Sequence, residues 1–266
     1  MEITILPNQR RAGVGRPPAR ENRRAWLPQQ ARFCPVLEDG SRLGFLVYPP
    51  LEDPEVLQVR RIREETMRFS FAVTNSDGTT RPRWVIDMSA SAGGGGLDAH
   101  ELRFVDDELG LNEEQVLGQL DAFTVNLNAP PGAVGLRGAF DFVTPEGWDS
   151  VYLGVLNEIQ PPHVPVLAAR IETDWYSQPT EFRYLLATGQ TISIAGSAPI
   201  GQVFFVPRES IELRTGSESD IARFEESQRE YWTERAEKER ATNFGTIHSY
   251  HYRDVQRATG SGLAAE

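Results

Sequence analysis

The sequence has 266 residues but only one cysteine, Cys34, and only one lysine, Lys238. A single cysteine cannot form an intramolecular disulfide, and a thiolate metal cage would need ligands that the chain lacks. A single lysine leaves no phosphate-loop lysine and argues against Schiff-base chemistry. We therefore predict a protein of a reducing compartment, the cytoplasm. Its cationic side chains are almost all arginine, a bias typical of GC-rich bacterial genomes.

Long apolar runs and an excess of basic charge are also missing. Residues Met1–Pro7 carry no basic region followed by a long apolar run, and the chain nowhere has a run long enough to span a bilayer. We expect neither a cleaved signal peptide nor a membrane partner. The formal net charge is -11. This charge repels a phosphate backbone at long range, so nucleic acid is not a predicted partner either.

Composition divides the chain into four predicted segments. Residues 1–30 are rich in arginine, glycine and proline and poor in apolar side chains, which predicts a flexible arm. Residues 31–215 hold most of the strand-like patterns and form the predicted core domain. Residues 216–244 have helical periodicity and are predicted to form an amphipathic helix packed on that core, and residues 245–266 form the C-terminal segment and tail.

The first part of the predicted core contains short β-prone runs separated by turn-forming residues. Ala31–Leu37 and Leu43–Tyr48 flank a Glu-Asp-Gly-Ser cluster, which predicts a hairpin. Val56–Ile62, Met67–Val73 and Trp84–Met88 follow, with alternating apolar residues and a turn signal before the last run. These three runs predict an antiparallel meander.

A glycine-rich and acidic insertion occupies residues 89–121. Four consecutive glycines at 93–96 favour a flexible loop over a phosphate cradle, because no Gly-Lys-Ser/Thr follows them. The acids lack the spacing of a calcium loop. Asn112 and Gln115 have the spacing of a capping box, which predicts a short helix starting there.

The clearest β pattern runs from Phe140 to Val206, where apolar and polar residues alternate between proline and glycine turns. A turn at 144–147 predicts a first hairpin. A second is predicted with Thr173 facing Phe182 and Glu172 facing Arg183. Together with the helices, this pattern predicts a mainly β protein, an antiparallel β-sandwich or distorted barrel with one short helix and one long C-terminal amphipathic helix.

Three motifs in this region resemble an uncharacterised bacterial family known only as a domain of unknown function. They are Thr-Pro-Glu-Gly-Trp at 144–148, Glu-Thr-Asp-Trp at 172–175 and Pro-Ile through Val-Pro at 199–207. Their order and spacing are similar to those of the family across residues 31–215, although Glu146 replaces a usual proline. No activity is assigned to that family. The resemblance therefore implies a β-rich fold and leaves the function open.

Two carboxylates in the second motif are the candidate catalytic residues. Glu172 and Asp174 lie two apart on a predicted strand and so share a face, where a carboxylate pair could perform acid–base chemistry or hold a metal. The alternative is an ion-paired sheet surface, because Arg170 and Arg183 supply countercharge nearby. Trp148, Trp175 and Arg183 are the candidate ligand-binding residues, since aromatic and arginine side chains often line small-molecule sites.

Three histidines are the candidate metal ligands: His163, His248 and His251. His248 and His251 would share a helical face but point apart on a strand, so a site depends on local structure. The chain has no His-x-Asp/Glu signature of a facial iron triad. A divalent metal therefore stays a candidate cofactor, although no specific motif in the sequence indicates one.

Two functions from different classes remain at this stage. The first is a binding or accessory protein that holds a small molecule or peptide in its β body. The second is a metal-dependent enzyme, oxygenase-like or hydrolytic, that uses Glu172, Asp174 and some of the three histidines. The sequence favours the first, because aromatic residues and arginines occur without an identifiable catalytic set. It leaves open whether the protein forms a homo-oligomer.

Overall fold

The computed structural model divides the chain into two compact units. The first comprises Met1–Asn22 and Arg42–Arg208, and the second Arg23–Ser41 and Glu209–Glu266. The structure describes residues 2–21, 27, 31–90, 97–105, 110–125, 132–158, 164–241 and 247–259. This division differs from the predicted core of 31–215, because residues 31–41 group with the C-terminal segments.

The described part of the chain is dominated by strands. In chain order these are β1 (Thr4–Pro7), β2 (Phe45–Val47), β3 (Glu55–Arg63), β4 (Thr66–Thr74), β5 (Thr80–Ala90), β6 (Leu97–Phe104), β7 (Thr124–Val125), β8 (Ala133–Arg137), β9 (Phe140–Val143), β10 (Trp148–Leu153), β11 (Val166–Leu167), β12 (Ala169–Ile171), β13 (Glu181–Leu185), β14 (Thr191–Ala195), β15 (Gly201–Pro207), β16 (Glu239–Ala241) and β17 (Ile247–Ser249). The helices are α1 (Pro35–Ser41), α2 (Glu113–Phe123), α3 (Glu218–Glu237) and α4 (His251–Ala258).

The fold class predicted from the sequence is confirmed. The protein is mainly β, its strand pairs are antiparallel, and its described strands form open sheets consistent with a sandwich rather than one closed barrel. The short helix and the long C-terminal helix are both present as α2 and α3. None of the described helices combines the length and the apolar character that crossing a membrane requires.

A five-stranded sheet in the order β14-β3-β4-β5-β6 contains the predicted meander. Burial alternates along β4, where Met67, Phe69 and Phe71 face the core. On the other face, Arg68 donates from Nε and Nη2 to both carboxylate oxygens of Asp87 on β5, at 2.6 and 2.7 Å. The alternation in the sequence therefore identified both faces of this sheet. The glycines at 93–96 lie outside the described residues.

Two four-stranded sheets contain most of the strands between Phe140 and Val206, whereas β9 pairs with β1 and β14 belongs to the five-stranded sheet. The orders of the two four-stranded sheets are β12-β10-β15-β2 and β11-β13-β8-β7. This topology corrects both predicted hairpins. The first predicted hairpin is wrong because β9 pairs with β1 whereas β10 pairs with β12 and β15. The second is wrong because β12 and β13 lie in different sheets. Arg183 is opposite Gly135 on β8 and Leu167 on β11, not opposite Glu172.

The N-terminal residues are part of the first unit rather than a flexible arm. β1 pairs with β9 along its whole length, from Thr4 opposite Val143 to Pro7 opposite Phe140. Further along, Arg11 donates to both carboxylate oxygens of Glu55 at 2.5 and 2.6 Å. The predicted flexibility is therefore wrong for residues 2–21, because backbone pairing and ion pairs order a segment that has few apolar side chains.

Helix α2 begins at the predicted capping box. The side chain of Asn112 accepts a hydrogen bond from the amide of Gln115 at 2.9 Å, and the Gln115 side chain accepts one from the amide of Asn112 at 2.8 Å. Val116, Leu120 and Phe123 are buried on one face of the helix. The box thus starts a helix whose apolar face completes the core.

Replacing Asn112 with alanine is expected to reduce the free energy of unfolding by about 1 kcal/mol, because an amide of the first turn loses its acceptor. Asn112→Ser retains a capping oxygen and should cost much less. Urea unfolding of both variants checks this. Equal losses would show that the side-chain cap does not contribute to stability.

Aromatic side chains connect the core of the first unit. The ring of Phe71 stacks at 5.6 Å on Trp84 and at 5.6 Å on Phe123 of α2. In the other sheets, Tyr152 meets Phe182 edge to face at 5.6 Å. The Trp84 indole also donates to Gln119 at 2.9 Å, which satisfies its buried N–H group.

The second unit corrects the prediction of a hairpin at 31–48. Residues Ala31–Phe33 form a turn of 3-10 helix and are followed by α1, so the expected first strand is helical. Arg253 of α4 donates to Glu38 at 3.0 Å and to Asp39 at 2.7 Å. The acids that looked like turn residues are therefore helical and paired with a distant arginine.

Helix α3 spans 20 residues, close to its predicted extent. Ser217 caps it by accepting from the amide of Asp220. No residue of α3 is buried, and Phe224 and Trp232 are exposed. The helix belongs to the second unit, and its predicted packing on the β core stays a prediction.

Candidate functional site

The two candidate carboxylates lie in a charged cluster, which we define as Asp149, Arg170, Glu172, Asp174 and Arg208. Arg208 is at its centre. Its guanidinium lies 2.7 Å from Asp149, 2.7 Å from Asp174 and 3.4 Å from Glu172. Arg170 donates from Nε to the other oxygen of Asp149 at 2.6 Å. The cluster thus joins three carboxylates through two arginines.

Sheet register explains why these residues meet. β10 and β15 pair so that Trp148 is opposite Pro207 and Asp149 is opposite Val206. Arg208 follows directly, and its amide donates to the carbonyl of Gly147 at 2.7 Å. β12 pairs with the other edge of β10 and brings Arg170 alongside Val151. Two strand ends and a turn therefore converge at one place.

Beside the charged cluster, three buried hydroxyl groups form hydrogen bonds with one another. Thr173 lies between Thr144 and Ser150, with oxygen–oxygen distances of 3.0 and 2.7 Å. Thr144 also donates to the carbonyl of Trp148 at 2.7 Å. These contacts hold the turn at 144–147 against the segment 172–175. The first two motifs of the family resemblance are thus adjacent in space.

The charges in the cluster are mutually stabilised. Burial acts to raise the pKa of Asp149, whose side chain is 2% exposed, but hydrogen bonds from Arg208 and Arg170 outweigh it and the pKa is lowered. The hydrogen bond from Arg208 is the main cause that lowers the pKa of Asp174, with help from the amide of Gly147. The hydrogen bonds that Arg208 donates to Asp174 and Asp149 raise the pKa of Arg208 in turn. These three groups are therefore charged at neutral pH.

This arrangement fits an ion-paired surface better than an acid–base pair. A general acid or base needs an oxygen that is open to substrate and a pKa near the working pH. Asp174 instead accepts from Arg208 and from the Gly147 amide, and its pKa is shifted away from neutrality. Glu172 accepts from the Trp175 indole at 2.5 Å. The structure therefore brings the predicted pair together in the turn after β12 rather than on a strand, and it occupies both oxygens of Asp174 and one oxygen of Glu172.

The predicted ligand-binding residues do not form one site. Trp148 is half-buried at the start of β10, whereas Trp175 is 65% exposed and meets the ring of Tyr176 edge to face at 5.6 Å. Arg183 lies in another sheet, where its Nε donates to Glu181 at 2.7 Å. Only the two tryptophans lie close in the fold to the charged cluster.

The predicted metal ligands do not meet among the described residues. His163 and the side chain of His248 lie outside them. His251 is buried in the second unit, and both of its ring nitrogens face protein groups, Lys238 at 3.0 Å and Glu234 at 3.5 Å. Over the ranges that the structure describes, no group of three His, Cys, Asp or Glu side chains is placed to hold a metal ion.

A cavity of about 450 Å³ lies in the β body, between the end of β10 and strands β11, β13 and β14. Val166, Ile192 and Ile194 contribute apolar walls, and Glu158 and Tyr184 contribute polar groups. The Tyr184 hydroxyl donates to the carbonyl of Ile200 at 2.6 Å. Burial, followed by the charge of Glu158, raises the pKa of Tyr184, so this hydroxyl stays protonated. The cavity thus combines apolar walls with polar groups, among them the oxygen acceptors of Glu158 and Tyr184.

The sequence did not predict the central residues of the charged cluster or of the cavity. Asp149 and Arg208 each follow a residue of a recognised motif, and the correct pairing of β10 with β15 would have brought them together. Glu158 and Tyr184 gave no such signal, because Glu158 follows β10 outside any strand, Tyr184 lies on β13, and only the tertiary fold brings them to one cavity. Periodicity indicates which face a residue occupies and does not indicate cavities.

Comparisons with known proteins do not identify a family for the chain. No family model, no curated protein and no solved structure matches it.

Proposed function

We propose that the protein is a small-molecule binding protein whose site is the cavity lined by Glu158, Tyr184 and Val166. The cavity is the observation that carries the proposal. Its volume of about 450 Å³ lies within the range of about 300–1,000 Å³ typical of ligand sites. Apolar walls with a few convergent polar groups are also typical of such sites.

The polar side of the cavity indicates the class of ligand. Tyr184 uses its hydroxyl hydrogen on Ile200, so its oxygen can only accept a further hydrogen bond. The Glu158 carboxylate is an acceptor as well when it is ionised. Two acceptors and one negative charge favour a compact apolar molecule with a donor head, above all a protonated amine. A peptide strand is too large for this space, and a small amine fits it better.

The proposal predicts that 2-phenylethylamine stabilises the protein more than 2-phenylethanol does. The two probes share an apolar body and differ in the head group. At a tenfold excess over Kd, a ligand that binds only the folded state adds about 1.4 kcal/mol of stability. For a unit of this size that corresponds to a rise in Tm of about 3–5 °C. Calorimetric melting at increasing probe concentration measures it.

Matched variants locate the site. Val166→Trp fills the cavity and should abolish stabilisation by both probes, whereas Leu167→Trp, on the exposed side of the same strand, should preserve it. Glu158→Gln should remove the advantage of the amine over the alcohol. The proposal is contradicted if neither probe stabilises the wild-type protein, or if Val166→Trp and Leu167→Trp respond alike.

The other predictions from sequence stay within this proposal. A cytoplasmic location agrees with the single cysteine, and the acidic charge disfavours nucleic acid as a partner. The family resemblance stays a prediction that rests on its three motifs, two of which are adjacent around Thr173. No described contact favours the metal-dependent enzyme over the binding protein.

A further inference from the structure

The only lysine of the chain contacts a buried histidine in the second unit. Lys238 follows the end of α3, and its Nζ lies 3.0 Å from Nδ1 of His251, the first residue of α4. The other ring nitrogen, Nε2, lies 3.5 Å from a carboxylate oxygen of Glu234. The imidazole of His251 thus lies between the amine of Lys238 and the carboxylate of Glu234. The binding proposal does not use this group.

The contacts assign the tautomer of the imidazole. A lysine ammonium has only hydrogen-bond donors, so Nδ1 must accept and carries no proton. The hydrogen of the neutral ring is then on Nε2, the nitrogen that faces Glu234. The carboxylate favours this tautomer because it attracts the Nε2 hydrogen. Glu234 is therefore a positioning residue for the ring.

Burial holds the histidine while the lysine stays accessible. His251 is 1% exposed, and its ring packs against the ring of Tyr231 at 4.9 Å. Lys238 is exposed. A reagent from solution can therefore reach the amine, whereas the base beside it is fixed. A nucleophile in hydrogen-bond reach of a base that a third group orients is the general arrangement of activated nucleophiles.

We propose that Lys238 is an activated amine that accepts acyl groups from thioesters, with His251 as its general base. An ammonium has no lone pair for attack, so its proton must leave first, and Nδ1 of His251 receives it. The amine nitrogen then bonds to the acyl carbon, and the carbon–sulfur bond breaks. The thiolate leaves with the sulfur electron pair and takes the proton from His251. The new nitrogen then holds one hydrogen more than an amide nitrogen does, and Nδ1 of His251, unprotonated again, accepts that hydrogen as a proton, which is released to water. The products are an amide on Lys238, a free thiol and one proton, with no change of oxidation state.

The position of Lys238 changes what a single lysine implies for the chemistry of the protein. A lone lysine leaves few options for amine chemistry in the chain as a whole, but the structure places that lysine beside a base. It also makes the reaction simple to follow. Every acylated lysine found in the protein must be Lys238, and the N-terminal amine serves as an internal reference in the same sample.

The test incubates the full-length protein with acetyl-coenzyme A and follows acetylation of Lys238 by peptide mass spectrometry. We expect His251→Gln to lower the rate at Lys238 at least tenfold, since general bases contribute about 10²–10⁴-fold to rates. The rate at the N-terminal amine should not change. Lys238→Arg should abolish side-chain acetylation. Circular dichroism of His251→Gln shows whether the helices persist.

Glu234 allows a test that does not disturb the buried ring. Its side chain is 61% exposed, and Glu237 on the same helix is also exposed and offers an equal change of charge. Glu234→Gln should lower the rate and raise the Nδ1–H tautomer fraction of His251, read by long-range ¹H–¹⁵N NMR. Glu237→Gln should change neither. The proposal is overturned if wild-type Lys238 reacts no faster than N-acetyl-lysine amide, or if the two glutamate variants behave alike.

Discussion

Replacing Phe182 with alanine is expected to lower the free energy of unfolding by about 3–5 kcal/mol. The ring is 1% exposed on β13 and meets Tyr152 of a different sheet edge to face at 5.6 Å. Its removal leaves a cavity at the place where two sheets contact each other, in addition to the loss of buried apolar surface. Urea unfolding by linear extrapolation measures the change.

Gly201 provides the control for this contact. A Cβ atom at Gly201 would lie 2.1 Å from Cδ1 of Phe182, so the ring occupies the space where a side chain would stand. Gly201→Ala should therefore cost about 1–3 kcal/mol in the wild-type protein. In the Phe182→Ala background the same change should cost nothing, because the ring is gone. Gly154→Ala, whose Cβ would meet Val166 only at 3.5 Å, should be nearly neutral.

Additive losses in the double variant would contradict this account of the core. They would mean that Gly201→Ala destabilises the strand by a route that does not involve the Phe182 ring. A loss below about 1 kcal/mol for Phe182→Ala would contradict it as well, because a fully buried phenylalanine is expected to contribute more than that.

The sequence predicted which face of a strand or helix is buried better than it predicted which strands pair. Alternation in Met67–Val73 correctly identified a strand with one buried face, the capping residue Asn112 marked the start of the short helix, and helical periodicity identified the long one. These features are local, since each depends on residues a few positions apart. Local chemistry is strong enough here to determine helix starts and strand faces.

Pairing is a long-range property, and most of the errors lie there. The turn at 144–147 looked like a hairpin turn, yet β9 pairs with β1, more than a hundred residues earlier in the chain. All four residues of β1 are exposed although Ile5 and Leu6 are apolar, so burial in the core is not what determines its pairing partner. Likewise Glu38 and Asp39 looked like turn residues because their partner Arg253 is distant in sequence.

The candidate site shows the same difference between local features, which the sequence predicts, and long-range contacts, which it does not. The Glu172 and Asp174 pair was found because two acids at i and i+2 are visible in the sequence. Their neutralisation by Arg208 was not, because that contact depends on the register of β10 with β15. A pair of acids therefore indicates chemistry only after its countercharges are known.

Replacing Asp149 with asparagine is expected to destabilise the protein by about 2–3 kcal/mol near neutral pH. The side chain is 2% exposed and accepts from both Arg208 and Arg170, at distances of 2.9 and 2.6 Å. Asparagine has nearly the same shape but only one acceptor oxygen, and its NH₂ group would face a guanidinium donor. Asp53→Asn is the control, because that exposed carboxylate pairs with the exposed Arg16 and should matter little.

The pH dependence of this difference separates charge from shape. The pKa of Asp149 is lowered in the folded protein, so the unfolded chain binds more protons in the acid range. Its stabilising contribution is therefore fully present above the unfolded-state pKa of about 3.9 and is lost as the pH falls through the folded-state pKa. Wild type and Asp149→Asn should converge in stability over this interval, as measured by urea unfolding between neutral and acid pH. A gap that stays constant throughout would mean that the asparagine acts through misfit in a buried space. The ionised carboxylate would then not be what joins β10 to Arg208.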